Sequence, residues 1–598
     1  MPLLINDMLN LGVPLNQNLG HLDLSRLHAT AQNSGLVALT DEPWSRAQFA
    51  TSRGLAQERW AVAFIDKGKE QFQPLAKDGP SVSDCLSAEQ SRALADVLAS
   101  RDQVVCLRGS AGVGKTTVIK QLQVRLADEN RAVFYCAPTS SAADTLRKDG
   151  VATATTVSDF LQNRVLKDRD RLTGAVLVVD EAGLTSNMQG GELLKVAERY
   201  NAMVVFLGDS KQHTSVEAGD FLRILENHSS LHTVELSDIR RQTVAEYRQA
   251  VKCMAVGGAL GGLEALDRMG WVKEGKADYL GAAVEDFIKK SDGGRRLDAV
   301  LAVTPTWAEN YAFTDQLRTE LKTRGILKAG ETIAVHEPLA WTKAQKERAE
   351  NYLPGQVVTV QRATAGFRCG QTLSVQRVEG GRVFVITENG EKALPLRQLN
   401  IEVARVRSLE VCEGDKVLVR ANERSAKLLN GEILTVAEIK DGVITTVDGR
   451  KIDTGRVKAL AHGFAVTSHK SQSKTAEHVI VAAERLDAKS AYVACSRGRV
   501  SCSVHTPDKV ALMERLPSGN RASALEVLAD QAAASAPRGL PPVPEIQTPD
   551  WRERLKQACS WTWWRDVARE TTHWVENLPH WGRVDGRTPN IPLNRDRS

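Results

Sequence analysis

No two of the nine cysteines stand in a C-x-x-C spacing, and no secretory apolar core follows Met1, so a disulfide scaffold and a cysteine-ligated zinc module are excluded as organising principles. Cys85, Cys106, Cys136, Cys253, Cys369, Cys412, Cys495, Cys502 and Cys559 are scattered and read as reduced, mostly buried thiols. No apolar run reaches the ~18–20 residues needed to cross a bilayer, and Met1 to Asn18 is broken by Asn, Asp and Pro. No membrane partner is expected, and the expected location is cytoplasmic. Neither charge sign dominates: 78 Lys+Arg face 73 Asp+Glu for a net of +5, which excludes a histone-like polycation but permits a phosphate-rich partner. Short internal repeats are also absent.

What is present is an ordinary globular composition, 42% hydrophobic and 25% charged, in a chain of 598 residues. That length is too great for one core and implies about three to five structural units. Residues 1–85 read as a helical preface, with helical periodicity around Trp44 to Gln71 and a linker at Pro74–Ser81. Val104–Leu107, Ala132–Cys136, Ala175–Val179 and Met203–Leu207 are short, apolar and β-branched-rich, and they alternate with helical stretches; that alternation predicts a parallel sheet flanked by helices. Ala299–Thr304, Ala461–Ser468 and His478–Ala482 read as strands of a second such unit, interrupted by a β-rich, barrel-like stretch with turns at Asn389-Gly390 and Asn430-Gly431. The expected organisation is 86–235 as a first lobe, 236–330 plus 457–515 as a second, 331–456 as the insertion, 516–550 as an Ala/Pro-rich linker and 551–598 as a helical tail. The tail carries Trp551, Trp561, Trp563, Trp564, Trp574 and Trp581, read as a packing face or a contact for a protein partner.

Gly109-Ser110-Ala111-Gly112-Val113-Gly114-Lys115-Thr116 fits G-x-x-x-x-G-K-[ST] and lies between a strand and a helical run, the context a phosphate-binding loop requires. Its glycines let backbone N–H groups curl around phosphate, with Thr117 following in the helix; Lys115 reaches the β- and γ-phosphates, and Thr116 is a Mg²⁺ ligand. ATP and Mg²⁺ are therefore the expected ligands. Asp180-Glu181 follows the strand Ala175–Val179, placing Asp180 to orient Mg²⁺ and Glu181 to polarise the attacking water. Gly208-Asp209 and Gln212 follow the next strand, where Gln212 is placed to bond a γ-phosphate or that water.

In their order these motifs resemble the superfamily-1 DNA helicases, and within them the RecD-like branch that includes the helicase portion of TraI/TrwC-type conjugative relaxases. The resemblance covers most of Leu86 to about Val504 and implies two RecA-like P-loop NTPase lobes with an SH3-like insertion, an α/β fold. It implies that Gln90 reads adenine, that Arg241 and Arg497 act as fingers on the γ-phosphate when the second lobe closes, and that Pro138, Thr139, Ser140, Thr155, Thr467 and His469 contact the phosphates of a single strand. Two departures stand out: Ser473 replaces a frequent Gly after Ser471-Gln472, and His213 a frequent Leu after Gln212.

The function so implied is ATP-dependent DNA unwinding or translocation on single-stranded or tailed duplex DNA, 5′-to-3′, in conjugative transfer or repair. The competing class is a nucleotide-gated DNA-binding or scaffold protein without unwinding activity. A relaxase domain, with three metal-binding histidines and an N-terminal nicking tyrosine, is not expected: His21 and His28 are separated by six residues, apolar and charged positions among them, with no H-x-H following.

Overall fold

The computed structural model describes residues 36–38, 49–76 and 85–534, apart from 216–218, 277, 364–365, 389, 424–425, 515, 517–519 and 521–522. The readings at His21, His28, Asn389 and the Trp-rich tail lie outside the described residues.

After a short antiparallel pair, β1 (Leu36–Ala38) and β2 (Phe49–Thr51), comes the helix Ser52–Lys67, capped by the Thr51 hydroxyl. The first sheet is built from β3 (Val104–Gly109), β4 (Val133–Ala137), β5 (Thr155–Thr156), β6 (Val176–Val179), β7 (Met203–Gly208) and β8 (His232–Leu236). Its order is β5-β4-β6-β7-β3-β8, and every pairing is parallel. β6 and β7 are buried along their whole length, as expected where helices cover both faces and leave no polar side to alternate. Because all strands run the same way, the carboxyl ends of β3, β4, β5, β6 and β7 share one edge.

The second sheet uses β9 (Val272–Glu274), β10 (Val300–Thr304) and, much later in the chain, β22 (Ala465–Thr467), β23 (Ala476–Ala482) and β24 (Gly498–Thr506). The order β22-β10-β23-β24-β9 is again all parallel, with Thr304 opposite Thr467. These are two RecA-like lobes, and one hydrophobic core runs from Leu107 and Val205 of the first to Tyr247, Val479 and Val504 of the second.

Between β10 and β22 the chain makes eleven antiparallel strands: β11 (Gly330–Pro338), β12 (Val357–Val360), β13 (Thr372–Glu379), β14 (Arg382–Thr387), β15 (Gly390–Ala393), β16 (Ile401–Cys412), β17 (Lys416–Val419), β18 (Ile433–Lys440), β19 (Val443–Thr446), β20 (Lys451–Asp453) and β21 (Leu460–His462). They form two sheets, β11-β16-β12-β13-β14-β15 and β20-β19-β18-β17-β21, around two separate cores. The single barrel expected from sequence is thus divided. The twelve-residue β16 serves both halves: Leu409 and Val411 enter one core, and Ile401 and Val403 the other.

Two boundaries differ from the sequence reading. Ala461–Ser468 is not one strand: β21 pairs with β17 of the insertion, and Gly463 then turns the chain into β22. A Cβ at Gly463 would stand 3.0 Å from the Ile433 side chain and 3.3 Å from the Leu418 backbone nitrogen, so the turn passes close against the sheet. In the Ala/Pro-rich stretch the chain forms a helix, Ala524–Ala534, whose Ala524, Leu525 and Val527 pack with Leu55 and Val62 of the helix Ser52–Lys67. Apolar surface at helical spacing there outweighs the linker-like composition. No helix of the described residues is long and apolar enough to cross a membrane.

Candidate nucleotide site between two lobes

The loop after β3 carries Gly112 at φ +87° and Gly114 at φ +85°, the left-handed conformation that side chains resist. A Cβ at Gly112 would meet that of Arg241 at 2.5 Å, so glycine is also what lets the segment carrying Arg241 lie against the loop. The helix Lys115–Asp128 starts directly after Gly114, aiming its unpaired N–H groups at the turn. The Lys115 ammonium folds back onto the Gly109 carbonyl.

Gln90 is buried beneath this loop. Its Nε2 donates to the Val113 carbonyl at 2.9 Å, while its Oε1 accepts from the Ser87 N–H in a capping box. The structure therefore places Gln90 against the loop expected to hold nucleotide, with both ends of its amide engaged by the protein.

At the end of β6, Asp180 and Glu181 sit over Lys115. Burial and the neighbouring Glu181 charge push the Asp180 carboxyl up to about 7. Burial pulls Glu181 the same way, but Lys115, the Ser473 hydroxyl, Arg497 and Gln472 together hold it below the usual carboxylate range. Glu181 adopts φ +51°, a conformation costly for a non-glycine residue, and its carboxylate accepts from Ser473 Oγ at 2.8 Å and Gln472 Nε2 at 3.2 Å. Ser473 itself has φ +65°: it takes up a glycine-like backbone and adds a hydroxyl that glycine lacks.

The residues fit a Mg²⁺–nucleotide complex. The donors are hard oxygens, the Thr116 hydroxyl and the Asp180 carboxylate, and Asp180 is crowded by negative charge that a divalent cation would offset. No group of three His, Cys, Asp or Glu among the described residues could hold a metal ion.

The remaining groups come from both lobes. Gln212 Nε2 donates to Asp209 Oδ2 at 3.1 Å, and its Oε1 accepts from Arg497 Nη2 at 3.2 Å. Arg497 is 2% exposed and also donates to the Val493 carbonyl. Arg241 donates to the Ser496 carbonyl at 2.9 Å; burial and the charge of Arg497 press its pKa down to about 9. Gln242 spans Ser496 and Gly498 from the same side, so Arg241 and Gln242 brace the turn that carries Arg497. Sequence reasoning assigned Tyr492 no role. It is 1% exposed, and its hydroxyl accepts from the Ala111 N–H and donates to Asp209 Oδ2, both at 2.8 Å.

The expected single-strand contacts fall into two groups at the sheet edges. Pro138, Thr139 and Ser140 follow β4, and Thr155 lies on β5 opposite Cys136. Thr139 caps the helix Ser140–Lys148, accepting from the Ala142 N–H at 3.1 Å, so part of its bonding is structural. Thr467 ends β22, and the exposed His469 follows in the helix Ser468–Ser471. The structure joins this second group to the nucleotide side: His469 stacks at 3.8 Å on His213, whose Nε2 bonds Ser468 Oγ at 2.7 Å. Burial and His469 drive the His213 pKa down to about 2, which keeps that ring neutral.

Missed in the sequence is a crowd of cations beside these groups. Arg420 lies 4.3 Å over the Trp307 ring, and Lys470 Nζ donates to Asn430 Oδ1. Burial, Arg420 and Lys474 press Lys470 down to about 8, and burial with Lys148 lowers Lys474. Unlike charges at these spacings are the usual outcome in a folded protein; like charges held together suit a polyanion. A cleft of about 800 Å³ runs alongside, between Ser141 and Lys148 of the first lobe, Asn430 of the insertion and Lys474 of the second.

A family described as AAA domain matches residues 85–277. The multifunctional conjugation protein TraI of Escherichia coli (strain K12) is 29% identical over 139 residues, 22% of this chain and 8% of that protein, so the match spans under a tenth of its relative. Among solved structures, Pif1 helicases coordinating at forked double-stranded DNA are 17% identical with a TM-score of 0.42, over 75% of this chain and 98% of theirs. The Pif1 helicase of Candida albicans is 16% identical with a TM-score of 0.37, over 75% and 99%. The residues matched by that AAA-domain family carry the phosphate loop, the Asp180-Glu181 pair, Gln212 and Arg241 described above.

Proposed function

We propose that the chain is an ATP-driven DNA helicase or translocase of the RecD-like branch. Lys115 and the loop amides bind the phosphates, Thr116 and Asp180 hold Mg²⁺, and Glu181 orients the attacking water. Bound Mg²⁺ neutralises charge on the phosphate oxygens. Arg497, with Gln212, stabilises the charge that develops on the transferred phosphoryl group, and Arg241 keeps the Arg497 turn in register.

One observation carries this reading. The loop that holds Glu181 through Gln472 and Ser473 follows directly on Thr467 and His469, the expected strand contacts, so the hydrolytic carboxylate and the DNA edge share one segment of the second lobe. Movement of that segment on a strand repositions Glu181, and hydrolysis in turn releases the strand. The crowded cations at Arg420, Lys470 and Lys474 support a polyanionic track alongside.

The relative's description as a conjugation protein supports a place in conjugative DNA transfer, and the RecD-like resemblance supports 5′-to-3′ movement. The test is unwinding of duplexes bearing a single 5′ or a single 3′ tail. Strand release from the 5′-tailed substrate alone is expected. Release from the 3′-tailed substrate alone refutes the polarity, and ATP-dependent binding with release from neither favours the nucleotide-gated scaffold.

A further inference from the structure

Tyr492 ties the phosphate loop to the second lobe through a single buried hydroxyl. Its two partners, Ala111 and Asp209, both belong to the first lobe, 381 and 283 residues away in sequence. From Asp209 the bonding continues through Gln212 to Arg497, and Arg497 Nε donates back to the Val493 carbonyl beside Tyr492. The result is a closed ring of hydrogen bonds that starts and ends on the helix Ala488–Cys495 and its C-cap turn. Burial and the Asp209 carboxylate keep the phenol protonated, so the hydroxyl has one proton to give and uses it on Asp209.

The Ala111 N–H belongs to the glycine-rich loop whose amides are turned toward phosphate. One N–H serves one good acceptor at a time. We propose that Tyr492 is a positioning residue that reports phosphate occupancy to the second lobe: its hydroxyl and a phosphate oxygen compete for the Ala111 N–H, and the winner sets how the helix bearing Tyr492 and Arg497 is held. When phosphate takes the amide, the hydroxyl keeps only Asp209, and the helix is free to follow Asp209 and Gln212 toward the γ-phosphate. The proposal rests on the ATP reading of this site and goes beyond it by assigning a function to a residue that touches neither metal nor attacking water.

The competition fixes a sign that a packing role does not. Tyr492→Phe keeps the ring and its burial but removes the competitor. In the full-length chain, its dissociation constant for a non-hydrolysable ATP analogue is expected to fall about three- to tenfold, the scale of one buried hydrogen bond. Turnover with single-stranded DNA is expected to fall by a similar factor, because Asp209 loses a donor that orients Gln212. Tyr492→Met, similar in bulk and also without a hydroxyl, must shift binding in the same direction and serves if the Phe variant does not fold. Analogue binding that is unchanged or weaker in the folded variants overturns the proposal and leaves Tyr492 as core packing. Failure of the unmodified protein to bind the analogue overturns the ATP reading instead.

Discussion

The Glu181 carboxylate accepts a hydrogen bond from the Ser473 hydroxyl at 2.8 Å across 292 residues of sequence. The group expected to orient water is thus held by the lobe that it must answer to. Glu181→Gln removes the charge but keeps the shape, and is expected to lower ATP turnover by about 10²–10⁴-fold, the range of general-base losses, with analogue binding within about twofold. Ser473→Ala leaves Gln472 in place and is expected to cost about three- to tenfold in turnover. Steady-state hydrolysis and equilibrium binding separate the two; parallel loss of binding in Glu181→Gln contradicts the assignment.

Arg497 and Arg241 differ in what they touch. Arg497 reaches Gln212, whereas Arg241 reaches the backbone of the turn that carries Arg497. Arg497→Ala is expected to reduce turnover about 10³-fold or more, as loss of an arginine finger does, and Arg497→Lys is not expected to restore it, because a point charge lacks the planar fork. Arg241→Ala is expected to cost less. Single-turnover hydrolysis of the three variants checks the order, and a larger loss for Arg241→Ala reverses the roles.

Lys470 stands beside two other cations, Arg420 and Lys474. If they lie on the strand's path, Arg420→Ala and Lys470→Ala weaken binding to single strands of any sequence, and each lowers the slope of log K against log salt by about 0.7. Fluorescence anisotropy at several salt concentrations measures this; an unchanged slope in both removes them from the track.

Asp286 accepts from His505 Nε2 at 3.1 Å and Lys273 Nζ at 3.0 Å, with Lys290 at 3.5 Å. Burial alone would raise its pKa, but these partners hold it well below the ordinary 3.8. A depressed carboxylate stabilises the fold above its unfolded pKa and loses that contribution as pH falls toward the folded one. Asp286→Asn is therefore expected to destabilise the second lobe by about 2–3 kcal/mol near neutrality, allowing for solvent screening of a partly exposed cluster. The gap should narrow below about pH 4. Thermal melts of the two proteins across pH check the direction.

Much of this was legible because the signals were local. The phosphate loop, the Asp180-Glu181 pair and the buried strands β3, β6 and β7 are each written in a few consecutive residues. Ser473 and His213 showed in the sequence only as departures; their meaning lies in contacts with Glu181 and His469, which no local pattern encodes. Tyr492 was hidden for the same reason, since a tyrosine among apolar residues reads as core until its hydroxyl is placed. The insertion was legible as β-rich through its turns, but not strand by strand: in β16 the alternation is broken by Arg405, Val406 and Arg407, where the strand passes from one core to the other. Helix Ala524–Ala534 was masked by composition, because alanine-rich sequence beside prolines looks like a linker until the helix Ser52–Lys67 offers it a face.

The most direct measurement is ATP hydrolysis by the full-length protein with and without single-stranded DNA, with Lys115→Ala as the blank. Coupling through the segment Thr467–Ser473 predicts turnover that rises at least about tenfold with DNA and vanishes in Lys115→Ala. Turnover indifferent to DNA, in a protein whose Lys115→Ala variant is inactive, would contradict the link between the strand edge and Glu181.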